Sequence, residues 1–216
     1  MNTIKACIFD LDGVIVDTAK YHYKSWKKLA HTLGFDFPKE DNERLKGVSR
    51  MESLEILLKI GKIKKTPKEK KALADKKNDW YRKYISQMDE SEILPGAKEF
   101  IKILKRHNIK VALGSSSKNA MTILKQIKMT DEFDTIIDGT QIKKAKPSPD
   151  IFLLAAEKLN INPKQCVVFE DAKSGIKAAK NANMFVVGVG SNDALKNADM
   201  TIPNLMKISV EKLRNL

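Results

Sequence analysis

Two aspartates separated by a single leucine lie near the start of the chain and could carry out chemistry. Asp10 and Asp12 follow the apolar run at residues 6–9, and Gly13 comes soon after them. Two like charges this close repel each other, so the pair indicates either a bound cation or a carboxylate that takes part in a reaction. In an extended segment, residues two apart point to the same side, so both carboxylates can face one small volume.

Further polar groups stand where later apolar runs end or helices begin. They are Ser115, Ser116, Ser117 and Lys118 after residues 110–114, Lys146 ahead of Pro147-Ser148-Pro149, and Glu170 and Asp171 after residues 166–169. Four carboxylates suit a hard cation with oxygen ligands, magnesium above all. Hydroxyls and backbone N–H groups ahead of a helix suit an anion, and with a lysine held by prolines they indicate a phosphoryl group.

Each of these groups also has a plain structural explanation, as a turn, a helix cap or a surface lysine. Their joint occurrence at successive strand ends favours the chemical interpretation. The chain lacks a G-x-x-x-x-G-K-[ST] loop, which argues against a Walker-type nucleotide site. An aspartate could itself accept the phosphoryl group and form an aspartyl-phosphate.

The elements that must position these residues alternate between apolar strands and helices. This order predicts a Rossmann-like doubly wound α/β core, with a parallel sheet covered by helices on both faces and ligands at the carboxyl ends of its strands. Strands are predicted at residues 4–10, 110–114, 135–137, 166–169, 185–189 and 200–202, and helices at residues 97–107, 119–129, 149–159 and 174–181.

Residues 17–91 have a different pattern, with apolar residues at helical spacing and no convincing strand. A helix that carries Trp26 is predicted to stop at Gly34, a short one follows at residues 41–45, and two more begin at the caps Ser49 and Thr66. We predict an all-helical cap domain at residues 17–91, inserted into a catalytic core of residues 1–16 and 92–216. The linkers at residues 14–18 and 90–95 are the expected hinges.

The composition is that of an ordinary globular protein of 216 residues, 42% hydrophobic and 31% charged. No apolar run approaches the roughly 20 residues that span a bilayer, and no signal peptide is recognisable, so we expect a cytoplasmic protein without membrane contact. Cys7 and Cys166 lie in buried strands and are expected to be core residues rather than a disulfide. The net charge of +13 could indicate nucleic acid, but the lysines are scattered, and a positive field also attracts a small anionic substrate.

With these motifs in order, the chain resembles the haloacid dehalogenase superfamily of phosphotransferases. Asp10-Leu11-Asp12-Gly13-Val14 looks like its first motif, Ser115 its second, Lys146 its third and Glu170-Asp171 its fourth. The resemblance covers the whole chain, and the helical insertion stands where that superfamily carries a cap. Within it, the bacterial β-phosphoglucomutases are the closest resemblance, through the segments Asp17-Thr18-Ala19, Leu45-Lys46-Gly47-Val48-Ser49-Arg50 and Lys77-Asn78.

The resemblance implies an isomerase that interconverts β-glucose 1-phosphate and glucose 6-phosphate through β-glucose 1,6-bisphosphate. Asp10 would be the nucleophile and Asp12 the general acid and base. Mg²⁺ would be bound by Asp10, the Asp12 backbone, Glu170 and Asp171. The expected phosphate ligands are Ser115, Ser116, Lys118 and Lys146, and the expected cap residues are Thr18, His22, Trp26, Lys46, Gly47, Ser49, Arg50, Lys77 and Asn78.

Two other functions remain open at this stage. A phosphatase of the same superfamily, acting on a sugar phosphate, would share every catalytic motif, and only the cap segment argues against it. A basic nucleic-acid-binding protein on an inactive hydrolase fold is the more remote alternative. The expected partner is a small sugar phosphate rather than nucleic acid, and a monomer is expected.

Overall fold

A six-stranded parallel sheet forms the centre of the protein in the computed structural model, which describes residues 4–45, 48–191 and 195–214. The strand order is β3-β2-β1-β4-β5-β6, and every neighbouring pair is parallel. The strands are β1 Ala6–Phe9, β2 Lys110–Gly114, β3 Thr135–Ile137, β4 Cys166–Glu170, β5 Phe185–Val189 and β6 Met200–Ile202. Strand β1 lies in the middle of the sheet, with β2 and β3 on one side and β4, β5 and β6 on the other. This arrangement confirms the predicted doubly wound α/β fold.

The sheet is buried on both faces because alternate residues of its central strand pack into different apolar clusters. Cys7 and Phe9 belong to one cluster, and Ala6 and Ile8 belong to the other. Phe9 stacks on Phe169 of the neighbouring strand with 4.7 Å between ring centroids. A strand that is apolar throughout thus packs against helices on both of its faces.

The two cysteines are buried and free, as the sequence predicted. Cys7 lies on one face of the sheet and Cys166 on the other, although their strands are neighbours. Burial raises the pKa of the Cys166 thiol to about 12. Both residues are therefore packing residues.

Helices connect the strands and cover the sheet. They are α4 Ala97–Arg106, α5 Ala120–Gln126, α6 Asp150–Leu159, α7 Lys173–Asn181 and α8 Val210–Arg214. The prediction of a helix at residues 119–129 was too long. Helix α5 ends at Gln126 because the chain turns at Lys128, whose φ is +53°, and Met129 N–H bonds back to the Leu124 carbonyl at 2.9 Å.

Three α-helices make up most of the region between Asp17 and Ser91. They are α1 Ala19–Thr32, α2 Arg50–Ile60 and α3 Pro67–Ile85. They enclose an apolar cluster of their own that includes Trp26, Leu29, Leu54 and Leu57. The predicted helix at residues 41–45 is a 3₁₀ helix instead, Lys39–Leu45. No strand is present in the described part of this region, and the exact domain boundaries stay a prediction.

The two connections between this helical region and the sheet run side by side. Val16 pairs antiparallel with Ile93, and the Leu94 N–H donates to the Ile15 carbonyl at 2.9 Å. Glu92 accepts hydrogen bonds at 2.6 Å from Lys20 Nζ and from the Tyr21 hydroxyl. The linkers thus form one narrow junction, the geometry that the predicted hinges require.

Within the described residues, no helix combines the length and the apolar character that crossing a membrane requires.

The capping box at the N-terminus of helix α3 leads to a prediction about stability. The Thr66 hydroxyl accepts from Glu69 N–H at 3.3 Å, and Glu69 accepts from Thr66 N–H at 2.8 Å. Replacing Thr66 with alanine should lower the free energy of unfolding by about 1 kcal/mol, measured by urea unfolding at pH 7. Lys68→Ala in the same turn is the control, and equal stability of the two variants would contradict the role of the cap.

The stabilisation should also depend on pH. The Thr66 backbone N–H, Lys65 and the Thr66 hydroxyl together lower the pKa of Glu69 to about 2. The pKa of Glu69 is lower in the folded state than its unfolded value of about 4.3. The stabilisation that Glu69 contributes is therefore complete above about pH 4.3. It is lost as the pH falls through about 2. The difference in the free energy of unfolding between wild type and Glu69→Gln should therefore shrink from pH 7 to pH 3.5.

Candidate active site

A cavity of about 1200 Å³ lies between the carboxyl ends of β1, β2 and β4 and the helical cap. Nearly all residues predicted for the site line this one cavity. From the core these are Asp10, Asp12, Ser115, Ser116, Lys118, Lys146, Glu170 and Asp171, and from the cap side Thr18, His22, Trp26, Ser49, Arg50, Lys77 and Asn78. The remaining two, Lys46 and Gly47, lie outside the described residues.

Lys146 joins the core residues of the site. Its Nζ donates to Asp10 Oδ1 at 2.5 Å, to Glu170 Oε1 at 2.8 Å and to the Gly114 carbonyl at 3.0 Å. All three protons of the ammonium group are therefore used. The three acceptors lie at the ends of β1, β4 and β2, so the lysine sets the distance between Asp10 and Glu170.

Electrostatics keep this buried lysine charged. Burial alone would lower the pKa of Lys146, but the carboxylates of Asp10 and Glu170 outweigh burial and raise it. Glu170 accepts a further hydrogen bond from the Ala172 N–H at 2.7 Å. A side chain at Gly175 would overlap the Glu170 carboxylate, so glycine is needed there.

Asp12 has a different environment from Asp10. Removal from bulk water and the nearby negative charge of Asp10 raise the pKa of Asp12 to about 7, although a hydrogen bond from the Thr18 hydroxyl and the charge of Lys146 oppose this. Asp10 instead forms an ion pair with Lys146. Two carboxylates two residues apart are thus prepared for different protonation states, the pattern of a nucleophile and a proton-transfer group.

The serine loop after β2 presents groups that suit an oxyanion. Ser115 Oγ accepts from Ser117 N–H at 3.1 Å, which folds the loop into a tight turn. Ser116 Oγ is buried and has no hydrogen-bond partner among the described residues. A side chain at Gly139 would overlap the Ser116 carbonyl, so the next loop approaches closely. Ser116 also lines the cavity, and a hydroxyl without a protein partner in this loop is suited to a phosphoryl oxygen.

The predicted metal ligands supply only oxygen donors, the chemistry that Mg²⁺ requires. Within the described residues, no three acidic, histidine or cysteine side chains converge into a ready-made metal site, because Lys146 lies between Asp10 and Glu170. The Asp171 carboxylate packs against Gly13, where a side chain would overlap it. Asp171 therefore reaches the loop that carries both aspartates, and the metal ligands stay a prediction.

On the cap side, Lys77 is buried among aromatic rings rather than beside an acid. Its Nζ lies 3.0 Å from His22 Nδ1, and 4.6 Å and 4.7 Å from the ring centroids of Trp26 and Tyr81. Burial and the positive charge of Arg50 lower the pKa of Lys77 well below its usual value. Burial, Lys77 and Arg50 likewise lower the pKa of His22, so its ring is neutral and accepts through Nδ1.

Arg50 is the first residue of α2 and follows the cap Ser49, whose hydroxyl accepts from Glu52 N–H. It lines the cavity and forms no ion pair with any described residue. An arginine at a helix N-terminus, with its guanidinium unpaired, is suited to bind a phosphate.

Several cavity residues were not among the predicted site residues. Asn119 Nδ2 donates to Asn78 Oδ1 at 3.1 Å and thereby connects the core to the cap. Asn42 is buried, and its Oδ1 has no partner among the described residues. Tyr81 does not line the cavity but lies behind His22, with 4.1 Å between ring centroids. The helical spacing of Lys77 and Tyr81, one turn apart on α3, was a signal for the tyrosine.

Comparisons with known proteins agree with this geometry. The family model described as haloacid dehalogenase-like hydrolase matches residues 4–183. The β-phosphoglucomutase of Bacillus subtilis (strain 168) is 45% identical over 212 residues, which cover 97% of this chain and 94% of that protein. A phosphorylated carbohydrates phosphatase of Thermotoga maritima is 33% identical over 84% of this chain and 82% of its own length.

A solved structure is similar over almost the whole chain. The crystal structure of β-phosphoglucomutase from Clostridium difficile superimposes with a TM-score of 0.93 at 44% identity, covering 99% of this chain and 96% of that one. The sheet and the helical cap are therefore both shared with that structure. The chain belongs to the haloacid dehalogenase-like hydrolase family.

Proposed function

We propose that the protein is a β-phosphoglucomutase, which interconverts β-D-glucose 1-phosphate and D-glucose 6-phosphate. One observation carries the proposal. A single cavity has the Asp10–Asp12 pair on its core side and, on its cap side, Arg50, which forms no ion pair with a described residue. A mutase that works through a sugar bisphosphate must bind one phosphate at the reacting centre and the other at a distance. The likeness to the mutase of Bacillus subtilis over nearly the whole chain supports the same function.

In the proposed reaction, a carboxylate oxygen of Asp10 attacks the phosphorus of β-glucose 1,6-bisphosphate. The bond between that phosphorus and the sugar oxygen breaks, and Asp12 gives its proton to the departing oxygen. In the reverse direction, a sugar hydroxyl attacks the aspartyl-phosphate and returns its proton to Asp12. The raised pKa of Asp12, about 7, allows both protonation states near neutral pH.

Lys146, Ser115, Ser116 and Lys118 would bind the transferring phosphoryl group. Mg²⁺ would be held by the Asp10 carboxylate, the Asp12 backbone carbonyl, Glu170 and Asp171. When bound, the ion would offset the negative charge that opposes the approach of a carboxylate to a phosphate. The proposed ligands are all oxygen donors, which suit Mg²⁺ and disfavour softer metals that need nitrogen or sulfur.

The second phosphate would bind to Arg50, where the helix α2 N-terminus adds its dipole and backbone N–H groups. His22 and Lys77 would contact the sugar phosphate from the cap, beside Trp26. Cap closure would keep water away from the aspartyl-phosphate, which a mutase must protect from hydrolysis. The absence of a nucleic-acid partner and the monomeric state stay predictions.

A sugar-phosphate phosphatase is the second candidate, and the phosphatase of Thermotoga maritima at 33% identity is the observation in its favour. Its chemistry would share Asp10, Asp12 and Lys146 and differ only in using water as acceptor. The higher identity to the Bacillus subtilis mutase, 45%, favours the mutase.

The test follows both products in one reaction. Purified protein receives β-glucose 1-phosphate, Mg²⁺ and a trace of β-glucose 1,6-bisphosphate, and glucose 6-phosphate and inorganic phosphate are measured together. We expect glucose 6-phosphate with little phosphate. Phosphate without glucose 6-phosphate would overturn the mutase proposal and favour the phosphatase.

The two aspartates should respond differently to removal of their charge. Asp10→Asn should abolish both turnover and transfer of radioactive phosphate from the bisphosphate to the protein, because the nucleophile is lost. Asp12→Asn should lower kcat by about 10²–10⁴-fold while leaving slow phosphorylation of Asp10 detectable. Equal phosphorylation of wild type and Asp10→Asn would contradict the assignment of the nucleophile.

Arg50→Ala tests whether Arg50 binds the second phosphate. Losing a charged hydrogen-bond partner should cost about 1.5–3 kcal/mol of transition-state stabilisation, which is roughly 10- to 150-fold in kcat/KM. Because Arg50 makes no ion pair with a described residue, the thermal midpoint should stay nearly constant. Lys59→Ala, an exposed cation on the same helix, is the control. Equal kcat/KM in the two variants would exclude a role for Arg50 in binding the second phosphate.

A further inference from the structure

Lys143 lines the active-site cavity, yet neither the predicted site nor the proposed reaction includes it. The residue is exposed and forms no ion pair or hydrogen bond with any described residue, so it lies at the rim of the cavity. Its neighbour Lys144 is also exposed but does not line the cavity. A lysine without a partner at the rim presents a positive charge and three hydrogen-bond donors to a ligand that enters.

The loop that carries Lys143, residues 138–147, is attached to the core on the side of the serine loop. The Gly139 N–H donates to the Ser117 carbonyl at 3.2 Å, which joins the two loops. Ile142 packs against the apolar cluster on one face of the sheet and also lines the cavity. Lys143 therefore follows a residue whose position is fixed by packing against the sheet, which places the lysine backbone beside the cavity.

The other exposed lysines that line the cavity differ in their surroundings. On the cap side, Lys71 forms an ion pair with Asp75 at 3.0 Å, which offsets its charge. On the core side, Lys118 has no ion pair with a described residue, and its Cγ lies so close to Gly139 that an added Cβ there would be 3.2 Å away. Lys118 and Lys143 are thus carried by adjoining loops of the core, and no described carboxylate is paired with either.

We propose that Lys143 is a substrate-recruiting residue, whose charge attracts the phosphate group of an incoming sugar phosphate to the rim of the cavity. Charges at the edge of a binding site mainly change the rate of encounter and its dependence on salt. Lys143 therefore contributes to kcat/KM and not to kcat, since Asp10 and Asp12 carry out the chemistry. The inference rests on the proposed function, because it takes a sugar phosphate as the ligand.

Lys143→Ala should lower kcat/KM for β-glucose 1-phosphate about fivefold at low salt, through a higher KM, while kcat changes by less than about twofold. Lys144→Ala is the matched control, because it removes the same charge from the next position, which does not line the cavity. Its kcat/KM should stay within about twofold of wild type. Both side chains are exposed, so the thermal midpoint should be unchanged in both variants.

Salt separates attraction by charge from other effects of the substitution. The Debye length falls from about 30 Å at about 0.01 M salt to about 3 Å at about 1 M. The difference in kcat/KM between wild type and Lys143→Ala should therefore shrink across that range. Equal kcat/KM in Lys143→Ala and Lys144→Ala at low salt, a loss confined to kcat, or a difference that salt does not reduce would each overturn the inference.

The wild-type reaction distinguishes failure of this inference from failure of the proposed function. If wild type releases phosphate and forms no glucose 6-phosphate, the mutase proposal is wrong, and the same variants are compared by phosphate release, which uses the same anionic substrate. If wild type turns over neither way, the variants are compared by titration with glucose 6-phosphate at low salt. In each case a loss of about fivefold, in kcat/KM or in affinity, confined to Lys143→Ala supports the inference. Equal values in Lys143→Ala and Lys144→Ala overturn it.

Discussion

The arrangement of the core side of the active-site cavity depends on the hydrogen bonds made by the ammonium group of Lys146. Its partners Asp10, Gly114 and Glu170 stand at the ends of three strands that are neighbours in the sheet, so one cation ties the three together. Without it, two buried carboxylates would face each other and favour protonation. Removing one partner from a buried ion pair costs about 3–5 kcal/mol, since a charge is left uncompensated. Asp10 is therefore positioned by electrostatics as well as by packing.

A second buried lysine on the cap has the opposite environment. Lys77 lies against the rings of Trp26 and Tyr81 and beside His22, with no carboxylate ion pair among the described residues. Aromatic faces stabilise a cation less firmly than two carboxylates do. Lys146 thus already has two carboxylate partners without a bound substrate, whereas Lys77 has no carboxylate partner among the described residues. In the proposed reaction, an anionic sugar phosphate would place a negative charge next to Lys77.

The sequence predicted most of the fold because strands of the sheet are apolar throughout and end at polar motifs. Strand β2 has the predicted bounds, and Thr66 and Ser49 begin helices as expected. The local sequence pattern failed at a short segment and at a long-range contact. Residues 41–45 form a 3₁₀ helix, since a short polar segment has too few turns to establish an α-helix. The hydrogen bond between Asn78 and Asn119, 41 residues apart, has no local signal.

The same limit applies to the difference between a mutase and a phosphatase. Asp10, Asp12 and Lys146 serve both reactions, so the distinction must lie in how the cap covers the aspartyl-phosphate. Here the cap meets the core through the paired linkers at Val16 and Ile93 and again through the hydrogen bond between Asn78 and Asn119. Attachment at two places fixes the cap over the cavity more firmly than one hinge would. In the proposed reaction, a sugar phosphate bound there would displace the water that could hydrolyse the intermediate, so the contacts that close the cavity would also favour the sugar as acceptor.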